Sequence, residues 1–179
     1  MAALKSVELH RLARQELGPQ MVALGFNRIP GRSGASWARP QPGNWLVLWL
    51  QPSQSNDGYA PGFRFTVELA LSSDPIIGAN GSRARLPTLL ADHEREELRH
   101  MENRTIAKLP SPDPAFARLL PAAFRERWLA GWKPRVTPYR PDEDVWFRHI
   151  DQADVRDLMA FFRRVLPGAV ARFLERATA

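Results

Sequence analysis

The run Asn44-Trp-Leu-Val-Leu-Trp-Leu-Gln51 carries a large apolar side chain at every position from Trp45 to Leu50. Successive side chains of a strand point to opposite faces. Trp45, Val47 and Trp49 therefore form one row and Leu46, Leu48 and Leu50 the other. With both rows apolar, the segment reads as a central strand covered on two sides. A second run, Gly62-Phe-Arg-Phe-Thr-Val-Glu-Leu69, alternates cleanly: Phe63, Phe65, Val67 and Leu69 on one side, Arg64, Thr66 and Glu68 on the other. That is the pattern of a half-solvated strand. Paired, the two strands place one of the apolar rows beside Arg64, Thr66 and Glu68. Such a strip is either covered by the middle helix or the C-terminal segment or open as a groove; if open, the residues that would meet a partner there are Trp45, Trp49, Gln51, Arg64 and Glu68. The two strands are joined by Pro52–Pro61, long for a hairpin connection and of a length that is often functional.

Around this pair the periodicity predicts a largely helical frame. Leu4, Val7, Leu12, Leu17, Met21 and Leu24 mark a helix over Ser6–Leu24, which Gly18-Pro19 should kink or restart and Gly25 should end. Phe26–Ile29 and Ala35–Arg39 read as a short hairpin. Ser72–Arg85 reads as irregular, and Pro87 as the opening of a helix to Met101. A proline-rich connector, Leu109–Pro114, precedes a helical stretch over Ala115–Leu129 that Pro121 should divide. Asp144–Ile150 reads as a strand. The closing helix has Asp151 as N-cap, Asp154 three residues on, an apolar face from Val155 to Leu166, and an expected kink or second short helix at Pro167-Gly168. The expected fold is α+β: an antiparallel sheet of four to five strands packed with the N-terminal and C-terminal helices. It is read as one domain over 1–179, with a helical insertion around 74–114.

Composition narrows the chemistry. The 179 residues contain no cysteine, which removes disulfides, thiolate zinc sites and thiol nucleophiles. No run approaches the ~18 apolar residues of a membrane span, and Glu8 and His10 interrupt what a signal peptide would keep apolar. A cytoplasmic, membrane-independent protein is the expectation. The formal charge of +6 rests on 22 arginines and 3 lysines. Between Glu16 and Asp57 there is no acidic residue, and from Arg118 to Arg140 six basic residues accompany the single acid Glu126. Such a balance favours acidic or phosphate-bearing partners.

Several core segments resemble an uncharacterised bacterial group, the domain of unknown function 4304 family. They are Leu24-Gly-Phe-Asn-Arg28, Trp37, Asn44-Trp-Leu-Val-Leu-Trp-Leu-Gln-Pro-Ser53 and Phe63-Arg-Phe-Thr-Val-Glu-Leu69. A late tryptophan-bearing segment and the closing helix are also similar. The resemblance implies the fold and no established activity.

Motifs that carry chemistry are sparse. Ile76-Ile-Gly-Ala-Asn-Gly81 has the Gly-x-x-Gly form of a KH loop, but Pro75 opposes the helix that must enter such a loop. His93, Glu97 and His100 share one helical face at metal-ligand spacing; they lack the second histidine of His-Glu-x-x-His and are interleaved with Arg95 and Arg99. Were they ligands, the protein would be a metal-dependent hydrolase. Arg125, Arg127, Trp128, Trp132, Lys133 and Arg135 alternate cations with aromatics, as in single-stranded nucleic-acid binding; the same aromatics also suit a core anchor. His149 and Asp151 make a possible general-base pair, or a strand-end histidine beside a helix cap. No nucleophile elbow, phosphate loop or cofactor motif is present in the sequence. The reading is a non-enzymatic binding or accessory protein that engages a macromolecular partner, a protein before a nucleic acid, through the sheet face or long loop. Nucleic-acid binding and metal-dependent hydrolysis are its alternatives.

Overall fold

The computed structural model describes residues 6–29, 34–53, 63–76, 81–108, 118–131 and 146–178. In chain order the elements are α1 (Ser6–Ala23), β1 (Asn27–Arg28), β2 (Ser36–Gln41), β3 (Asn44–Pro52), β4 (Phe63–Ser72) and β5 (Arg83–Arg85). A 3-10 turn (Leu86–Leu89) leads into α2 (Asp92–Ala107), followed by α3 (Ala122–Gly131), β6 (Phe147–His149) and α4 (Gln152–Thr178). All strand pairs are antiparallel, in the order β1-β2-β3-β4-β5, with β6 also on β4. The outer edge of β4 is shared: β5 pairs along Glu68–Ala70 and β6 along Phe63–Phe65. The architecture is thus the α+β sheet with flanking N- and C-terminal helices that the sequence predicts. It has six strands: β6 falls within the predicted Asp144–Ile150, and the added one is β5, which lies in a stretch read as irregular and at three residues is too short for periodicity to reveal.

The register decides which row of β3 is the core. Leu48 lies opposite Leu69 and Leu50 opposite Val67, on the side of Phe65 and Phe147. These join Leu9, Leu12, Leu17 and Met21 of α1 and Val155, Phe162, Leu166 and Phe173 of α4 in one cluster. Phe65, Phe147 and Phe162 meet at ring-centroid distances of 4.8–6.1 Å, two of the contacts edge-on, the arrangement that aromatic quadrupoles favour. Each fully buried side chain of this kind contributes roughly 1.5–3 kcal/mol.

Local chemistry sets the ends of the elements. Past α1, Phe26 N–H donates to Met21 O at 2.9 Å and Gly25 N–H to Val22 O at 2.9 Å, with Gly25 at φ 78. This is the six-to-one closure that needs a left-handed residue. Arg39 locks it, donating from Nη1 to Leu24 O at 2.8 Å with its guanidinium 5.1 Å from the Phe26 ring centre. Pro42-Gly43 joins β2 to β3, and Gly43 at φ 72 suits the third position of a type II turn.

Neither internal proline ends its helix, so the restart and the second short helix do not occur. Pro19 lies inside α1 and Pro167 inside α4, and both helices run through. Each proline faces solvent while its neighbours are clamped: Leu17 and Met21 are buried, as are Leu166, Ala169 and Val170. Core packing outweighs a single lost ladder bond. The stretch over 74–114 supplies β5 to the sheet and Leu86, Leu89, Leu90 and Leu98 to the core. Its main helix starts at Asp92 rather than Pro87, because Pro87 sits in the 3-10 turn. Glu94 stabilises that start by accepting from Ala91 N–H at 2.7 Å. Arg172 then ties α4 to this corner, donating to Glu94 at 2.7 Å and to Leu89 O.

Candidate functional site

The second face of the sheet gathers what the register leaves outside the core. Trp45, Val47, Trp49 and Gln51 of β3 alternate away from the leucines, with Trp49 opposite Glu68 and Gln51 opposite Thr66. On β2, Ser36 and Ala38 lie opposite Trp49 and Val47. On the far side Arg85 pairs with Glu68, Arg83 with Ala70, and Arg148 with Arg64. The five residues singled out from the sequence (Trp45, Trp49, Gln51, Arg64 and Glu68) therefore share one face. The tryptophan row, and not the leucine row, is the one beside Arg64 and Glu68.

Accessibility on this face is sharply divided. Its small and central residues are closed to solvent: Ser36, Ala38, Val47, Thr66 and Ala70 are all buried. Trp45, Trp49, Gln51 and Arg64 are half-buried. Arg83 and Arg85 keep 42% and 38% of their side chains exposed. Arg64 Nε, by contrast, is closed to solvent. The described helices α1 and α4 contribute to the cluster on the opposite face.

Glu68 departs from its expected role. Its side chain is only 5% exposed, and β5 occupies both oxygens. Arg83 Nε donates to Oε1 at 2.5 Å, and Arg85 Nε stands 3.8 Å from Oε2. A carboxylate so enclosed positions the two arginines and is closed to a partner. Arg85 also lies over Trp146, 5.3 Å from the ring centre. Arg83, Arg85, Trp146 and Arg148 were missed by sequence reasoning. Their alternation with Ala84, Phe147 and His149 is visible in the sequence, yet only strand pairing assigns them to this face.

A second polar cluster lies where α2, β6 and the start of α4 meet. Asp154 is buried and accepts from Ile150 N–H at 2.9 Å, Lys108 Nζ at 2.5 Å and Thr105 Oγ1 at 3.4 Å. Burial opposes its ionisation, but these donors, led by Lys108, hold the carboxyl below its ordinary range. The hydrogen bond to Asp154 raises Lys108 above its own. Asp151 acts as the expected cap, accepting from Asp154 N–H at 2.9 Å. The adjoining cavity, lined in part by Glu102, Lys108, Arg148, Asp154 and Asp157, measures about 60 Å³. That is room for about two waters and not for a substrate. His149 is buried against Phe65, with ring centroids 5.7 Å apart. Burial pushes its pKa down to about 4, against the upward pull of Asp154 and Asp151. A base this weak, with Asp151 committed to the cap, makes the pair structural.

The histidines of α2 are not brought together as ligands. His93, Glu97 and His100 are exposed, Glu97 pairs with Arg164 of α4, and His100 Nε2 lies 3.1 Å from Glu96. Among the described residues no group of three His, Asp or Glu side chains is placed to hold a metal ion. Of the basic aromatic segment, Arg125 of α3 donates to Leu120 O at 3.2 Å. The side chains of Arg127 and Trp128, and all of Trp132, Lys133 and Arg135, lie outside the described residues, as do 77–80 of the KH-like loop and the 54–62 connection. No described helix is long and apolar enough to cross a membrane. No family model, no curated protein and no solved structure matches the chain.

Proposed function

We propose that this protein is a non-enzymatic binding or accessory protein that engages a macromolecular partner through the second face of its sheet. One observation carries the reading: the β2–β6 register collects Trp45, Trp49, Gln51 and Arg64 on one face with Arg83 and Arg85, and the two tryptophans and the two β5 arginines keep part of their surface accessible over a closed floor. Tryptophan and arginine are the side chains that dominate binding hot spots, because each offers a large contact area together with directed hydrogen bonding. The resemblance to the domain of unknown function 4304 family is compatible with this reading and adds no activity to it.

The test is a native pull-down with the full chain. Wild type is expected to recover a partner in stoichiometric amount, Trp49→Ala with Arg85→Ala to lose it, and Arg11→Ala on the exposed side of α1 to keep it. Repeated recovery of wild type alone, or equal recovery by all three proteins, contradicts the reading.

A further inference from the structure

Just before β2, two ring N–H donors converge on a glycine. His10 of α1 is 9% exposed, and its Nδ1 accepts from the buried Ala35 N–H at 3.0 Å. That bond leaves the neutral ring's proton on Nε2. A Cβ built on Gly34 would stand 3.7 Å from His10 Nε2 and 3.7 Å from Trp49 Nε1. The two nitrogens, one from α1 and one from β3, therefore flank a single point. Among the described residues neither donor has an acceptor, and neither atom is sealed from solvent. A histidine N–H this enclosed is normally satisfied, by water or by a ligand where the protein offers nothing.

Neither backbone nor packing requires glycine here. Gly34 is not at positive φ, and its missing Cβ would meet its nearest neighbours at 3.4–3.7 Å, ordinary contact distances. The absent side chain leaves a notch with a donor on each side. Strands β1, β2 and β3 carry no acidic residue, and Arg14, one turn beyond His10, sets a positive charge near the ring. Glu68, opposite Trp49 in register, is turned to Arg83 and Arg85. We infer that this notch binds a carboxylate, one oxygen accepting from His10 Nε2–H and the other from Trp49 Nε1–H. A carboxylate is acceptor-only with two oxygens in one plane, and its charge strengthens both bonds. The inference deepens the sheet-face reading, on which it rests for a partner and not for the site itself. The group it names is an aspartate or glutamate side chain of that partner, or a free small acid of the same chemistry.

Proton–nitrogen NMR of the full chain tests this at the Trp49 indole N–H, titrated with sodium acetate against sodium chloride at equal ionic strength. Acetate should move that signal along a saturating curve, and chloride should not. His10→Asn keeps an acceptor for Ala35 N–H at the Nδ1 position and removes the second donor. It should weaken acetate about tenfold, the lower end for one hydrogen bond to a charged acceptor. Gly34→Ala puts a methyl group in the notch and should abolish the response, with the unfolding midpoint unchanged or raised. Arg11→Gln should alter nothing. A terminally blocked glutamyl tripeptide that binds at least as tightly as acetate assigns the carboxylate to a partner's side chain; weaker binding assigns it to a free acid. A saturating response to neither acetate nor the peptide overturns the inference and leaves water in the notch. So does a response that survives both His10→Asn and Gly34→Ala, or inorganic phosphate bound about tenfold tighter than acetate. Acetate binding with no partner in the pull-down keeps the notch and removes the sheet-face reading. A partner lost with Trp49→Ala and Arg85→Ala, without response to either carboxylate, does the reverse.

Discussion

Acid should weaken this fold through His149 by an amount the structure sets. The imidazole is 1% exposed on the core face of β6, against the Phe65 ring, and burial takes its pKa from 6.5 to about 4. In the folded protein it is neutral over most of the range in which the unfolded chain binds a proton. The depressed value therefore supports stability in full above pH 6.5, and that support drains away as pH falls toward 4. A displacement of about 2.5 units at 1.36 kcal/mol per unit amounts to about 3 kcal/mol. That is a substantial part of the 5–15 kcal/mol typical of a domain. The assay is urea unfolding at several pH values between 7.5 and 4, for wild type and His149→Phe. Carboxylates such as Asp154 titrate in both proteins, so the difference between the two curves isolates the histidine. Wild type is expected to lose about 2–3 kcal/mol more than the variant across the window. Parallel curves, or a His149 NMR titration centred near 6.5, would refute the reasoning.

His10→Leu should cost about 1–3 kcal/mol in chemical denaturation, because Ala35 N–H, buried and donating to His10 Nδ1 at 3.0 Å, loses its acceptor; an unchanged unfolding midpoint would count against that tie. The same bond puts the neutral ring's proton on Nε2, which nitrogen chemical shifts should show directly. Leu48→Ala, at the buried centre of β3, should lower stability by about 2–5 kcal/mol in the same measurement, the cost of an unfilled core site. Pro167→Ala should do the reverse. Pro167 is exposed within a continuous α4, so restoring the ladder donor should add about 2 kcal/mol once the unfolded chain's greater freedom is deducted. Calorimetry should then find Tm higher by about 4–8 °C, and a lower Tm would show that the proline is needed where it stands.

How far the chain could be read depended on how many residues repeat each physical signal. Ten residues of β4 and nine of β3 alternate long enough to declare themselves, and the buried faces of α1 and α4 repeat through several turns. Asp151 identified itself as a cap because its chemistry is local to the next turn. Asp144–Ile150 is legible as a strand and contains β6, whereas Arg83–Arg85 gives three residues only, and a three-residue alternation is indistinguishable from an ordinary loop. Pro19 and Pro167 fail to divide their helices for the complementary reason. Their cost is local and legible, whereas the packing that overrides it comes from residues distant in the chain.

The same distinction runs through the candidate face. Sequence alone determined that β3 has two apolar rows and that Arg64, Thr66 and Glu68 share one side of β4, because alternation is a property of the backbone itself. It left undecided which row joins them, since a one-residue slip exchanges the two faces and both rows are apolar. Tertiary structure decided that choice, burying the leucines beneath α1 and α4 and turning Trp45 and Trp49 outward. It also converted Glu68 from an expected contact into the anchor of Arg83 and Arg85, fifteen and seventeen residues further along the chain. Charge partners at that separation are chosen by strand pairing, and pairing depends on every element that competes for the same edge.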